Sequence, residues 1–299
     1  SAESVLGVSL ANVSLLRLDL TGGRAPGNKA CKLAPYLALA REQKLTRVLS
    51  FGGAWSNHLH ALAALGAEQG FETIGLVRGG ETLTPTLQDA QRWGMRLERV
   101  SRSNYRRRAD AGFLAELEAR YAPCLVIPEG GGGEPGARGC ADIARMLLSV
   151  SPDSRHVLLP VGTGTTLAGL VSALDKDVRV TGVSALKGAV DTEQRVQSLL
   201  AGLAAKEHAH WEVLHDFHCG GFARVSAELR AFILDFERVQ RVALDPVALD
   251  PVYTAKTLFA LHQLRAGGAW SVDEPALVVH TGGLQGRRGY SWLEPDGQG

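Results

Sequence analysis

His156-Val-Leu-Leu-Pro-Val-Gly162-Thr163-Gly164-Thr165-Thr166-Leu-Ala-Gly169-Leu170 reads as a strand, a Gly/Thr turn and the start of a helix. Glycines let the main chain approach a ligand closely. Free N–H groups and the dipole at a helix start favour an anion, and threonine hydroxyls add donors. The turn is a candidate phosphate cup; the alternative is a turn with ordinary Thr caps. It is not a Walker loop, because no Lys follows the second glycine. It is also a poor dinucleotide fingerprint, since Leu167 occupies the third Gly position and the next strand, Val178 to Val183, ends without an acidic residue.

Outward from this segment, short β-rich runs alternate with longer helical patterns. The runs are Arg47 to Phe51, Thr73 to Val77, Arg96 to Val100, Cys124 to Pro128, His156 to Val161, Val178 to Val183, Trp211 to Leu214 and Leu277 to His280. Helical patterns over Leu59 to Gln69, Tyr105 to Tyr121, Leu167 to Leu174 and Val225 to Glu237 supply the crossovers that parallel strands need. That alternation predicts an α/β fold with parallel sheets covered by helices. So many strands exceed one sheet with full helical cover, so two α/β domains are expected, divided near Pro152 in the polar segment Ser149 to Arg155. The charge run Arg102 to Arg108, with Tyr105 inside it, reads as a solvated helix start, the alternative being a phosphate patch.

Composition narrows the function. The chain has 299 residues, 45% of them hydrophobic and 21% charged, which excludes disorder. Its 35 glycines follow no period, which excludes a fibre and implies many tight turns. Lys+Arg total 32 against 31 Asp+Glu, so no net field holds a nucleic acid or an anionic membrane, and neither is an expected partner. Cys31, Cys124, Cys140 and Cys219 form no CxxC pair, which argues against a zinc site or disulfide framework and for a reducing cytoplasm. The charge-free stretches Val48 to Ala67 and His156 to Leu174 contain too many polar residues to span a membrane. Ser1 to Leu10 carries Glu3 and no basic region before a long apolar run, so no secretory leader is expected.

Two further segments carry chemistry. Phe51-Gly-Gly-Ala-Trp-Ser56-Asn57-His58 leads from a strand into a helix; Ser56 is a candidate N-cap, and the turn can also bind a carboxylate while offering a hydroxyl for proton transfer. His58 and His60 lie two apart and share no helix face, which weakens a metal site. In Gly27-Asn28-Lys29-Ala-Cys31-Lys32-Leu33 two lysines lie three apart at a helix start. The positive helix end and desolvation both favour the neutral amine that a Schiff base requires, although lysines on a helix are usually solvated.

Asn28-Lys29-x-x-Lys32-Leu33, Gly52-Gly53-x-x-Ser56-Asn57-His58, Val126-Ile-Pro128-x-Gly130-Gly131, the Gly162 to Leu170 turn, Leu249-Asp-Pro-Val-Tyr253-Thr254-x-Lys256 and His280-Thr281-Gly282-Gly283 follow in that order. This order resembles pyridoxal-phosphate enzymes of fold type II, similar to tryptophan synthase β, in the branch of D-cysteine desulfhydrase and 1-aminocyclopropane-1-carboxylate deaminase. The resemblance runs from about residue 15 to 290. It implies a larger cofactor-binding domain of residues 1–43 and 150–299, a smaller α/β domain of residues 44–149, pyridoxal 5'-phosphate as cofactor, and a homodimer.

The resemblance also implies residue roles. Lys29 would carry the cofactor as a Schiff base, Asn57 would bond its ring hydroxyl, and Gly162, Thr163, Gly164, Thr165 and Thr166 would hold its phosphate. Ser56, Asn57 and His58 would meet the substrate carboxylate, with Ser56 moving a proton. Tyr253 would lie beside the ring with a catalytic role, and Thr254 and Thr281 would serve the pyridine nitrogen. Departures from the pattern are Cys31 for Arg, Phe222 for a catalytic Tyr, Thr254 for Glu, and four glycines from Gly130 to Gly133 in place of two. The expected reaction is β-elimination and deamination of a small amino acid as in D-cysteine desulfhydrase, giving a 2-keto acid and ammonia. The alternatives are 1-aminocyclopropane-1-carboxylate deamination and a non-catalytic protein that binds pyridoxal phosphate or another phosphate ligand.

Overall fold

The computed structural model describes residues 4–80, 82–203, 208–241 and 245–293. It divides into two units, Ser1–Leu20 with Ala141–Leu284, and Thr21–Cys140 with Gln285–Gly299. The chain opens in the first unit with β1 (Ser4–Val5), β2 (Val8–Ser9) and β3 (Val13–Arg17). The second unit runs through α1 (Asn28–Glu42), β4 (Arg47–Gly52), α2 (Asn57–Gln69), β5 (Glu72–Arg78), α3 (Pro85–Arg92), β6 (Arg96–Val100), α4 (Arg102–Arg106), α5 (Ala111–Tyr121) and β7 (Cys124–Val126). The boundary falls within α6 (Glu134–Val150). The first unit resumes with β8 (His156–Val161), α7 (Thr165–Ala173), β9 (Arg179–Ser184), α8 (Thr192–Gly202), β10 (His210–Leu214), α9 (Ala227–Gln240), α10 (Thr254–Ala266) and β11 (Ala276–His280).

In the first unit the sheet order is β10-β9-β8-β11-β3, every neighbouring pair parallel. Strands covered on both faces read as continuous apolar runs, as Val157-Leu158-Leu159 and Leu277-Val278-Val279 do. In the second unit the order is β6-β5-β4-β7, again all parallel. One face of that sheet buries Val48 with Leu33 and Leu37 of α1 and Leu59 and Leu62 of α2. The other buries Leu49, Phe51, Ile74 and Leu76 against Tyr105, Phe113 and Leu117.

Both sheets reverse their direction of growth once. Strands β8, β9 and β10 add to one side while β11 lies on the other side of β8; β4, β5 and β6 add to one side while β7 lies on the other side of β4. Such switch points open a crevice at the carboxyl ends of the two strands, where ligands bind in open α/β sheets.

Four sequence readings shift. The division of 1–43 and 150–299 from 44–149 differs from the observed units: residues 21–43 fall in the second unit because α1 buries Leu33, Tyr36, Leu37 and Ala40 in its core. The helix expected over Tyr105 to Tyr121 is two helices, because Asp110 accepts the Phe113 N–H at 2.8 Å and starts α5 afresh. The solvated charge run is only partly so, since Tyr105 is buried and both Tyr105 and Arg108 bond Glu129. The strand expected to reach Pro128 ends at Val126. Among the described residues no helix is long and apolar enough to cross a membrane.

Candidate active site

In the second unit the switch point lies between β4 and β7, and three loops of interest meet there. α1 begins at Asn28 after Gly27, and Lys29 Nζ donates to the Gly130 carbonyl, which follows β7, at 3.2 Å. Lys32, one turn on, is 3% exposed. Burial first, and then the adjacent Lys32 charge, hold the Lys29 amine well below the usual lysine value. Gly131 has φ 70°, and a Cβ there would lie 3.0 Å from Lys32 Cβ, so the lysine and the turn together demand glycine. Burial and Cys140 push the thiol of Cys31, the residue that replaces arginine, up to about 11.

The β4-to-α2 turn supplies Ser56, Asn57 and His58. Ser56 is the N-cap of α2, its Oγ accepting the Leu59 N–H at 3.2 Å, as the sequence suggested. Asn57 Oδ1 accepts from Gln285 Nε2 at 2.8 Å, which leaves the Asn57 amide hydrogens as donors. His58 is 2% exposed, with Nε2 2.7 Å from Ser50 Oγ. Ser50 Oγ donates to the Ile127 carbonyl at 2.7 Å, so it accepts from His58 Nε2–H. Nδ1 is then a bare acceptor, buried without a partner. Burial, then the charges of Lys29 and Lys32, push His58 well below the usual histidine value, so the ring is neutral. His60 turns elsewhere, to Asp89 at 3.3 Å. Among the described residues no three His, Cys, Asp or Glu side chains are grouped to hold a metal ion.

In the first unit the switch point lies between β8 and β11, whose carboxyl ends carry Gly162 and Thr281. Gly164 caps α7 with φ 83°, and a Cβ there would stand 2.8 Å from Val196 Cγ2. The hydroxyls of Thr163 and Thr165 are 3.0 Å apart, and Thr165 and Thr166 are buried. A Cβ on Gly162 would lie 3.4 Å from the Tyr253 ring, an ordinary contact distance, so Tyr253 lies against the turn.

Asp250, to which the sequence reading gave no role, builds the Tyr253 side. Its carboxylate accepts the N–H groups of Val252, Tyr253 and Thr254 at 3.1, 3.0 and 2.9 Å. Burial raises its pKa, while those N–H bonds and then His280 oppose the shift. His280 ties the Thr281 turn to the same region: Nε2 bonds the Ala248 carbonyl at 2.8 Å and Nδ1 receives the Gly282 N–H at 3.2 Å. Thr254 is fully buried, and its Oγ1 has no partner. Phe222 is 51% exposed and meets the Tyr253 ring edge-on, centroids 6.2 Å apart.

The second unit thus gathers Lys29, Ser56, Asn57 and His58, and the first gathers Gly162 to Thr166, Tyr253, Thr254 and Thr281. Each unit by itself offers groups that suit part of pyridoxal phosphate: the second an amine held below its ordinary pKa for the aldehyde, the first a Gly/Thr helix start for the phosphate and an orphaned buried hydroxyl for the ring nitrogen.

Parallel sheets under helices, with these groups at their switch points, define an α/β enzyme of pyridoxal-phosphate fold type II. The chain belongs to the family described as pyridoxal-phosphate dependent enzyme, whose family model matches residues 11–282. It is 30% identical over 290 residues to a putative 1-aminocyclopropane-1-carboxylate deaminase of Thermotoga maritima, covering 92% of this chain and 89% of that one. It is 28% identical over 290 residues to a D-cysteine desulfhydrase of Salmonella choleraesuis, covering 91% and 86%. The crystal structure of a 1-aminocyclopropane-1-carboxylate deaminase homologue superposes with a TM-score of 0.81 at 26% identity, covering 95% of this chain and 87% of that one.

Proposed function

We propose that this enzyme expels a β-substituent from a small amino acid of the D-cysteine type, releasing a 2-keto acid, ammonia and the leaving group. The observation that supports elimination is Thr254, a buried, unpartnered hydroxyl where the deaminase pattern has a carboxylate. A hydroxyl can hydrogen-bond a neutral ring nitrogen but cannot hold a proton there as a carboxylate does. The cofactor, when bound, supplies the electron sink for cleavage at the substrate α-carbon. A weaker sink favours a substrate with its own leaving group, such as a β-thiol or β-chloride.

In this reading Lys29 would hold the cofactor covalently, and its amine, freed and neutral once the substrate amine has taken its place, would accept the α-proton. The main-chain N–H groups of Asn57 and His58 at the α2 start bind the substrate carboxylate. Ser56 Oγ already accepts the Leu59 N–H, so its own hydrogen is free to be donated. Asn57 would donate to the ring hydroxyl, Gly162 to Thr166 would hold the phosphate, Tyr253 would lie beside the ring, and Thr254 and Thr281 would serve the ring nitrogen.

Borohydride reduction of the holoprotein followed by peptide mapping tests the assignment: a pyridoxyl group is expected on Lys29, and one on Lys32 or Lys256 overturns it. Ring opening of 1-aminocyclopropane-1-carboxylate is the second reading, favoured by the name of the Thermotoga relative. Keto-acid release from any amino acid separates either reading from a protein that only binds the cofactor. The four cysteines, none in a disulfide, favour a reducing cytoplasm, and elution at twice the chain mass in gel filtration tests the homodimer.

A further inference from the structure

Lys256 lies three residues beyond Tyr253 on α10, and its side chain is completely buried. No carboxylate forms an ion pair with it among the described residues. Its ammonium donates instead to two main-chain carbonyls, Gly221 at 2.8 Å and Ala185 at 3.4 Å. Burial lowers its pKa to about 8, against the opposing charges of Cys219 and Asp250. A buried cation bonded only to carbonyls is a costly way to fill space.

The segment it holds is strained. Cys219 and Ala223 carry φ of 51° and 56°, in the left-handed region that side chains disfavour, and Gly220 and Gly221 lie there too. Residues in such conformations persist only where surrounding contacts over-determine them. Within this run sits Phe222, half exposed, its ring edge-on to Tyr253, which in turn lies against Gly162 of the phosphate turn.

We propose that Lys256 is a positioning residue for the elimination reaction, holding the 219–223 loop so that Phe222 braces Tyr253; this rests on the elimination reading above. The Lys256 ammonium bonds the Gly221 and Ala185 carbonyls, so its part is positioning. It acts through the Gly221 carbonyl, the Phe222 ring and then Tyr253, which leaves a signature that simple loss of stability does not.

Lys256→Met removes the donors while keeping an unbranched side chain. In holoprotein, trypsin should cleave after the exposed Arg224 at least tenfold faster than in the parent, a readout independent of turnover. With D-cysteine or β-chloroalanine, kcat/KM should fall about tenfold in Lys256→Met, but less than twofold when the same change is made in a Phe222→Ala background. Unchanged cleavage after Arg224 overturns the proposal, and so does an equal loss of kcat/KM in both backgrounds. If the parent releases no keto acid from any amino acid, the elimination reading fails by itself, while the Arg224 cleavage rate still decides whether Lys256 holds the loop. Should Lys256→Met be insoluble, Lys256→Leu, which also removes the donors, is read by the same assays with the same two contradicting outcomes.

Discussion

Lys29 is a half-buried residue whose amine feels the charge of Lys32 one turn away, and that arrangement has a measurable consequence for the apoprotein. Its pKa is depressed on folding, so the unfolded chain binds the proton that the folded one releases. Stability must then rise with pH from the folded midpoint up to the ordinary lysine value, by at most about 1.4 kcal/mol per pH unit for this group. Urea titrations of the apoprotein at pH 7, 8 and 9 should show this rise, and Lys29→Met should flatten it. An identical slope in the variant would mean that Lys29 titrates as in water. Ser56 caps α2, and the proton relay proposed for it has a separable readout. Loss of its cap in Ser56→Ala should cost about 1 kcal/mol of stability, and loss of a proton relay should lower kcat by roughly 10²- to 10⁴-fold. Full turnover with normal cofactor uptake would leave Ser56 as a cap alone. The lysine pair and the Ser-Asn-His turn were legible as residues, but the partners of these groups were not. Asn57 bonds Gln285, 228 positions away, and Ser50 fixes the His58 tautomer through the Ile127 carbonyl just beyond β7.

Among the elements, the β8-turn-α7 unit bears most of the cofactor argument. Gly164 sits at φ 83° with Val196 2.8 Å from a would-be Cβ, so Gly164→Ala meets both strain and a clash. It should destabilise the protein by roughly 1–3 kcal/mol and weaken phosphate binding, read as a raised Kd for pyridoxal phosphate in a fluorescence titration. Unchanged affinity would show that the turn does not hold the phosphate. This element was readable because its strand, turn and helix start are contiguous and each announces itself by residue type. The break between α4 and α5 was not, since Asp110 acts as a cap only where the chain has already turned, and a helical apolar pattern runs through it.

For the molecule, the unit assignment of α1 and the place of β3 lay beyond local pattern. β3 pairs with β11 across about 260 residues, Val13 against Ala276, and a five-residue edge strand has little periodicity of its own. α1 joins the second unit through buried leucines that no window of sequence pairs with those of α2. The alternation of strands and helices did foretell two parallel sheets, and the switch point in each sheet explains why motifs far apart in sequence meet within each unit, in support of the proposed elimination chemistry. That chemistry is the central claim, and steady-state keto-acid release measures it most directly. If Thr254 and Phe222 set the reaction, kcat/KM for D-cysteine and β-chloroalanine will exceed that for 1-aminocyclopropane-1-carboxylate. A higher value for the cyclopropane substrate than for both others would contradict the account.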